Sequence, residues 1–203
     1  LANSLLLFEL LHTLRERDLK FVRFMAALVA ERLDADHARE SAQAALRGRL
    51  REVMAGGDPG IVYQPIAALN SGTIVGYEAL ARFHSEPVRT PDVWFAEAKD
   101  AGLQEDLECR AIATALRSQQ RLGTQYLSIN VSPAIVASPH LDALLEQVDC
   151  ARIVLEITEH DADPAPLRAK LDAIRGRGIR IALDDVGAGY AGLNRLLAIA
   201  PDV

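Results

Sequence analysis

The feature that most constrains this chain is a period in its second half. Apolar runs near 126–131, 152–157 and 179–184 alternate with helical patterns near 138–147, 164–176 and 190–198. Strands separated by helices cannot be joined as hairpins. Each crossover carries the chain back to the same end of the sheet, so the strands run parallel and the helices cover a face. The expected class is therefore α/β. Each run also delivers an oxygen-bearing side chain at its carboxyl end: Asn130, Glu156 and Asp184, with Glu78 in the same place on an earlier run. The four are separated by 52, 26 and 28 residues. The last two intervals match one strand–helix unit of a (β/α)8 barrel, about 30 residues. The first is double because two helical patterns intervene.

Upstream the pattern differs. Residues 1–54 read as helix, with Phe21, Phe24, Met25, Leu28, Val29 and Leu33 recurring at three- and four-residue spacing. From residue 34 to 51 the sequence turns charged and alanine-rich, as a connecting helix or a two-stranded coiled coil would. Gly56-Gly57-Asp58-Pro59-Gly60 then breaks it. The expected segments are a helical portion over 1–33, a linker helix over 34–57 and a barrel portion over 58–203. The barrel portion opens with Ile61–Ile66 and Thr73–Leu80 around the turn residues Asn70-Ser71-Gly72, a hairpin pattern. Thr90-Pro91 supplies a helix start, and helices are expected over Trp94–Ala101 and Gln104–Leu122.

Composition narrows the partners. A formal net charge of −6 argues against nucleic acid as a ligand. An acidic protein handling a phosphate ester needs cations or local Arg and Lys to offset repulsion. No apolar run approaches the roughly 18 residues of a membrane span. Two cysteines, Cys109 and Cys150, fit neither a disulfide framework nor a zinc knuckle, and read as reduced thiols of a cytoplasmic protein.

Adjacent carboxylates at a strand end, Asp184-Asp185, admit two readings. Buried together they repel unless a cation or proton lies between them; exposed, they are ordinary turn formers beside Gly187 and Gly189. Single members of the set have equally plain alternatives: Asn130 could cap the following turn, Glu156 could pair with a lysine, Arg82 could form a surface ion pair. Four oxygen donors in phase on successive strand ends favour the cation. An all-oxygen set selects Mg2+, Mn2+ or Ca2+ over zinc.

These residues also carry a resemblance. Tyr77-Glu78-Ala79-Leu80-Ala81-Arg82 resembles the signature of EAL domains, bacterial phosphodiesterases of cyclic di-GMP. Gln64-Pro65-Ile66 is similar to the family's first-strand motif. Asn130-Val131-Ser132, Glu156-Ile157-Thr158-Glu159 and Asp184-Asp185-Val186-Gly187-Ala188-Gly189 match its next three motifs in order. The resemblance implies that Glu78, Asn130, Glu156 and Asp184 hold a first divalent ion, Mg2+ or Mn2+, and that Asp185 helps hold a second. Glu78, Asp184 and Asp185 would then serve catalysis, with a water activated between the ions attacking phosphorus. Gln64, Leu80 and Arg82 would contact the dinucleotide, Arg82 through its planar fork of donors. Glu159 would tie the loop bearing Gly187 and Gly189 to the site. Val186 and Ala188 depart from the family's commoner Phe and Thr or Ser.

Leu14–Phe21 and Met25–Ala30 are similar to the closing helix of GAF-type sensor domains, which implies an N-terminal sensor and a homodimer. A plain packing helix is the equal alternative. Pro201-Asp202-Val203 opens what would be the next strand, so the sequence carries the opening hairpin and about half of a TIM-like (β/α)8 barrel. The family's catalytic lysine would lie on that next strand. The expected function is metal-dependent opening of cyclic di-GMP to linear pGpG. A module that binds the dinucleotide without turnover is the alternative, and a helical scaffold is a third.

Overall fold

A computed structural model of the chain describes residues 16–146, 148–158, 164–184, 196–197 and 199–203. Asp185, Glu159, Gly187 and Gly189 lie outside the described residues, as do residues 1–15 and most of the helix expected over 190–198. Contacts divide the chain into two units, Leu1–Leu46 and Arg47–Val203.

The described part of the first unit belongs to helix α1, Glu16–Ala55, which enters the second unit with residues 47–55. In the first unit Phe21, Phe24, Leu28, Val29 and Leu33 are all exposed. Arg32 and Arg39 both pair with Asp36 at helical spacing. No described helix is long and apolar enough to cross a membrane.

The second unit is built on one five-stranded sheet in the order β1-β2-β3-β4-β5. Strands β1 (Gly60–Ala67) and β2 (Ile74–Arg82) form the expected antiparallel hairpin. Its turn holds Gly72 at φ +68°, the left-handed region glycine tolerates. Strands β3 (Tyr126–Val131), β4 (Ile153–Thr158) and β5 (Arg180–Asp184) add in parallel, each beside its predecessor. Between them run α2 (Pro91–Ala101), α3 (Gln104–Arg117), α4 (Pro133–Ala137), α5 (Pro139–Leu145) and α6 (Pro164–Arg175). This is the mixed α/β, TIM-barrel-like architecture the period implies.

Sequence detail explains the departures. The helix expected over 138–147 is α5, and a short helix that was not expected, α4, precedes it; Pro133 and Pro139 each start one, and Ser132 and Ser138 cap them through their hydroxyls. The stretch expected to be helical to Leu122 leaves α3 at Arg117 and tightens into a 3-10 turn over Gln119–Leu122. Thr90 has the extended backbone of an N-cap before Pro91, yet its hydroxyl makes no capping bond.

Alternation along the strands decides what each face does. Ala79, Leu127, Ile129, Val131, Leu155, Ile157 and Ile181 face the helices and pack with Ile135, Leu141, Leu167 and Leu171 in one core. Their even-numbered neighbours take the opposite face, where Glu78, Ser128, Asn130, Glu156 and Asp184 lie. At the other end of the strands Tyr126 lies flat on Gly76. A Cβ there would stand 2.5 Å from the ring, so the position admits only hydrogen. The Arg180 guanidinium covers the same ring at 4.6 Å.

The carboxyl end of α1 is fixed within this unit. Leu50 and Met54 are buried, Arg47 Nε donates to the Ala101 carbonyl at 2.7 Å, and Arg110 donates to the Met54 carbonyl. Glu97 on α2 accepts from Arg49 at 2.7 Å and also from Arg89. Asp58, in the glycine-broken turn, accepts from Arg110 and Arg117 of α3.

Candidate metal and phosphodiester site

Register places the donors before any side-chain contact is considered. Glu78 stands opposite Ser128, and Asn130 opposite Glu156. Ala182 stands opposite Glu156, and Asp184 follows two residues on, beside Thr158. Glu78, Ser128, Asn130, Glu156 and Asp184 belong to the face turned away from the helices, and they climb toward the carboxyl ends of the strands, where barrel chemistry is done. Gln64 is the direct cross-strand partner of Glu78, and Val62 and Gly60 are those of Leu80 and Arg82.

Side chains then connect diagonally. Asn130 Nδ2 donates to Glu78 Oε1 at 2.9 Å, and the Ser128 hydroxyl donates to Glu156 Oε1 at 2.5 Å. Strand β3 thus offers one donor to a carboxylate on each flanking strand. Burial pushes the Glu156 carboxyl above its ordinary range. The Ser128 bond opposes this, and the nearby charges of Glu78 and Asp184 add to it.

The donor set suits a hard divalent cation: carboxylate oxygens, one amide oxygen left free when Nδ2 is committed to Glu78, and an excess of negative charge. Among the described residues, no three His, Cys, Asp or Glu side chains are gathered into a finished ligand set. Glu78, Asn130, Glu156 and Asp184 are brought to one face and one end, with Glu78 and Glu156 turned to β3 donors. Asp185, the expected link to a second ion, lies outside the described residues.

Leu80 and Arg82 line a cavity of about 440 Å³ with Phe95, Glu108, Ile129 and Asn130, between the strand ends and helices α2 and α3. Most of its wall is apolar. Arg82 Nη1 donates to the Ala81 carbonyl at 2.7 Å, which holds the guanidinium at the rim of that space. Gln64 is exposed on β1 and not part of this wall.

Two members were not visible in the sequence. Ser128 is fully buried inside a strand, where a lone serine reads as filler; the available signal is its place two residues before Asn130, on the same face. Glu108 of α3, also buried, accepts from the Ser132 amide and hydroxyl and from Gln104 Nε2, four residues earlier. It anchors the turn that follows Asn130. His140, given no role from sequence, pairs with Glu105 at 2.8 Å away from the site.

The profile of the EAL domain matches residues 47–203. The chain belongs to the EAL domain family. Its curated relatives include the probable cyclic di-GMP phosphodiesterase PdeB of Escherichia coli (strain K12), 32% identical over 168 residues. That match covers 76% of this chain and 33% of PdeB, so this EAL chain spans about a third of the relative's length. Among solved structures, BlrP1 of Klebsiella pneumoniae in a calcium and cyclic di-GMP complex is 30% identical with a TM-score of 0.58, over 72% of this chain and 39% of that one. The FimX EAL domain of Xanthomonas citri, solved in complex with cyclic di-GMP, gives a TM-score of 0.66 at 21% identity, over 81% and 70% of the two chains. The last shows the fold alone.

Proposed function

We propose that this protein hydrolyses cyclic di-GMP to linear pGpG with the help of divalent ions bound at Glu78, Asn130, Glu156 and Asp184. The observation that carries the reading is the register that brings Glu78, Asn130, Glu156 and Asp184 to one face of the sheet in an EAL domain. Support comes from the relative named a probable cyclic di-GMP phosphodiesterase and from the calcium and cyclic di-GMP complex of BlrP1.

Mg2+ or Mn2+ held there supplies an activated water and offsets the charge of the phosphodiester, with Asp185 contributing to a second ion. The chain's own residues do the rest. Asn130 fixes Glu78 through its amide nitrogen and presents its amide oxygen toward the ion. Arg82 offers paired donors to a phosphate oxygen at the cavity rim. Leu80, Phe95 and Ile129 give a planar base an apolar wall beside that phosphate. Gln64, opposite Glu78, donates or accepts along the open side of the dinucleotide. An N-terminal sensor acts through α1, whose exposed apolar residues also suit a homodimer.

The test is Glu78→Ala in the full-length protein. Metal-dependent release of pGpG should fall by at least 100-fold while the fold, read by circular dichroism, persists. Undiminished hydrolysis would overturn the site; cyclic di-GMP binding without hydrolysis in the wild-type protein would make it a binding module.

A further inference from the structure

We infer that Ser128 is a positioning residue for the metal ligand Glu156, an inference that rests on the proposed ion site and goes beyond its ligands. Ser128 is fully buried, and its hydroxyl points across the β3–β4 boundary to Glu156 Oε1 at 2.5 Å. Its own register partner on β4 is Val154, so the contact is a diagonal one, one rung up. On the other side its register partner is Glu78. Ser128 therefore lies level with Glu78 and one rung below Glu156.

A glutamate on a strand has three side-chain torsions, and a ligand must hold all of them at once. Glu78 is held by Asn130, itself a proposed ligand. Asn130 is also the register partner of Glu156, but its amide nitrogen is committed to Glu78. Among the described residues the Ser128 hydroxyl is the hydrogen-bond donor that reaches the Glu156 carboxylate. With Oε1 tied to the serine, Oε2 is the oxygen left for a cation, and the carboxylate plane is fixed before the ion arrives. A hydrogen-bond donor behind a ligating carboxylate commonly governs metal affinity by 10- to 100-fold.

The experiment is calorimetric titration of Mn2+ into the full-length protein without nucleotide, for wild type, Ser128→Ala and Ser128→Cys. Cysteine keeps the shape of serine with a larger γ atom and a weaker donor, so it fills the site that alanine leaves empty. Both variants should bind Mn2+ on the order of 10-fold more weakly, with melting temperatures in chelator close to wild type. If the alanine variant fails to fold, the cysteine variant decides alone. A Ser128→Cys protein with wild-type Mn2+ affinity would overturn the positioning role. A wild-type protein that binds no Mn2+ would instead overturn the ion site itself.

Discussion

At the scale of single residues, the carboxylates carry a cost that function explains. Glu156 is held above its usual range by burial, with the charges of Glu78 and Asp184 adding to the effect. An acid whose folded pKa is raised binds more protons folded than unfolded. Stability then falls as pH rises from the unfolded pKa through the folded one, and the full penalty stands above it. Glu156→Gln removes that penalty and keeps an acceptor for Ser128. In chelator at pH 8 its melting temperature should exceed wild type by about 2 °C, and the gain should vanish near pH 4; scanning calorimetry at both pH values checks this. Addition of Mg2+ should stabilise wild type and leave the variant unmoved. Arg82 works by contact with substrate instead. Arg82→Ala should weaken cyclic di-GMP about 10-fold, the loss of one charged hydrogen bond, with Mn2+ affinity unchanged by titration calorimetry. The proposed ligands were legible in the sequence because they recur in phase on successive apolar runs. Ser128 and Glu108 were not, since one lies inside a strand and the other inside a helix, and only tertiary pairing gives either a meaning.

At the scale of elements, the strands were the most readable part of the chain. Runs such as Leu127-Ser128-Ile129-Asn130-Val131 alternate between a helix-facing apolar side and a polar inner side, and pairing in register keeps every inner residue together. Helix ends were less readable. Ser138-Pro139 starts α5 and separates it from the unexpected α4: proline fits the first helical position without an amide, and the Ser138 hydroxyl accepts from the His140 amide. Thr90 shows the reverse: the N-cap backbone is present and the side-chain bond is not. The elements depend on the shared core beneath the site. Leu171 of α6 is fully buried among Leu141, Ile157 and Ile181 in that core. Leu171→Ala should cost about 2–5 kcal/mol by cavity formation, read as a lower denaturant midpoint at unchanged slope. Ion binding to the variant that remains folded should be near normal, because the leucine is on the helix side of the sheet.

At the scale of the whole molecule, one sheet serves two ends. Its apolar face is sealed by α2 to α6, its opposite face gathers acidic groups, and the cavity beside Leu80 and Arg82 lies where the two meet. An acidic chain of net charge −6 can accept a doubly charged dinucleotide only where that charge is offset. The account puts the offset at Arg82 and at divalent ions among the strand-end carboxylates. The most direct test is turnover of cyclic di-GMP by the full-length protein, stripped of divalent ions by a chelator and then titrated with Mg2+ or Mn2+. The account predicts no linear pGpG in chelator and its appearance once the ion is restored; pGpG formed at an undiminished rate in chelator would contradict it.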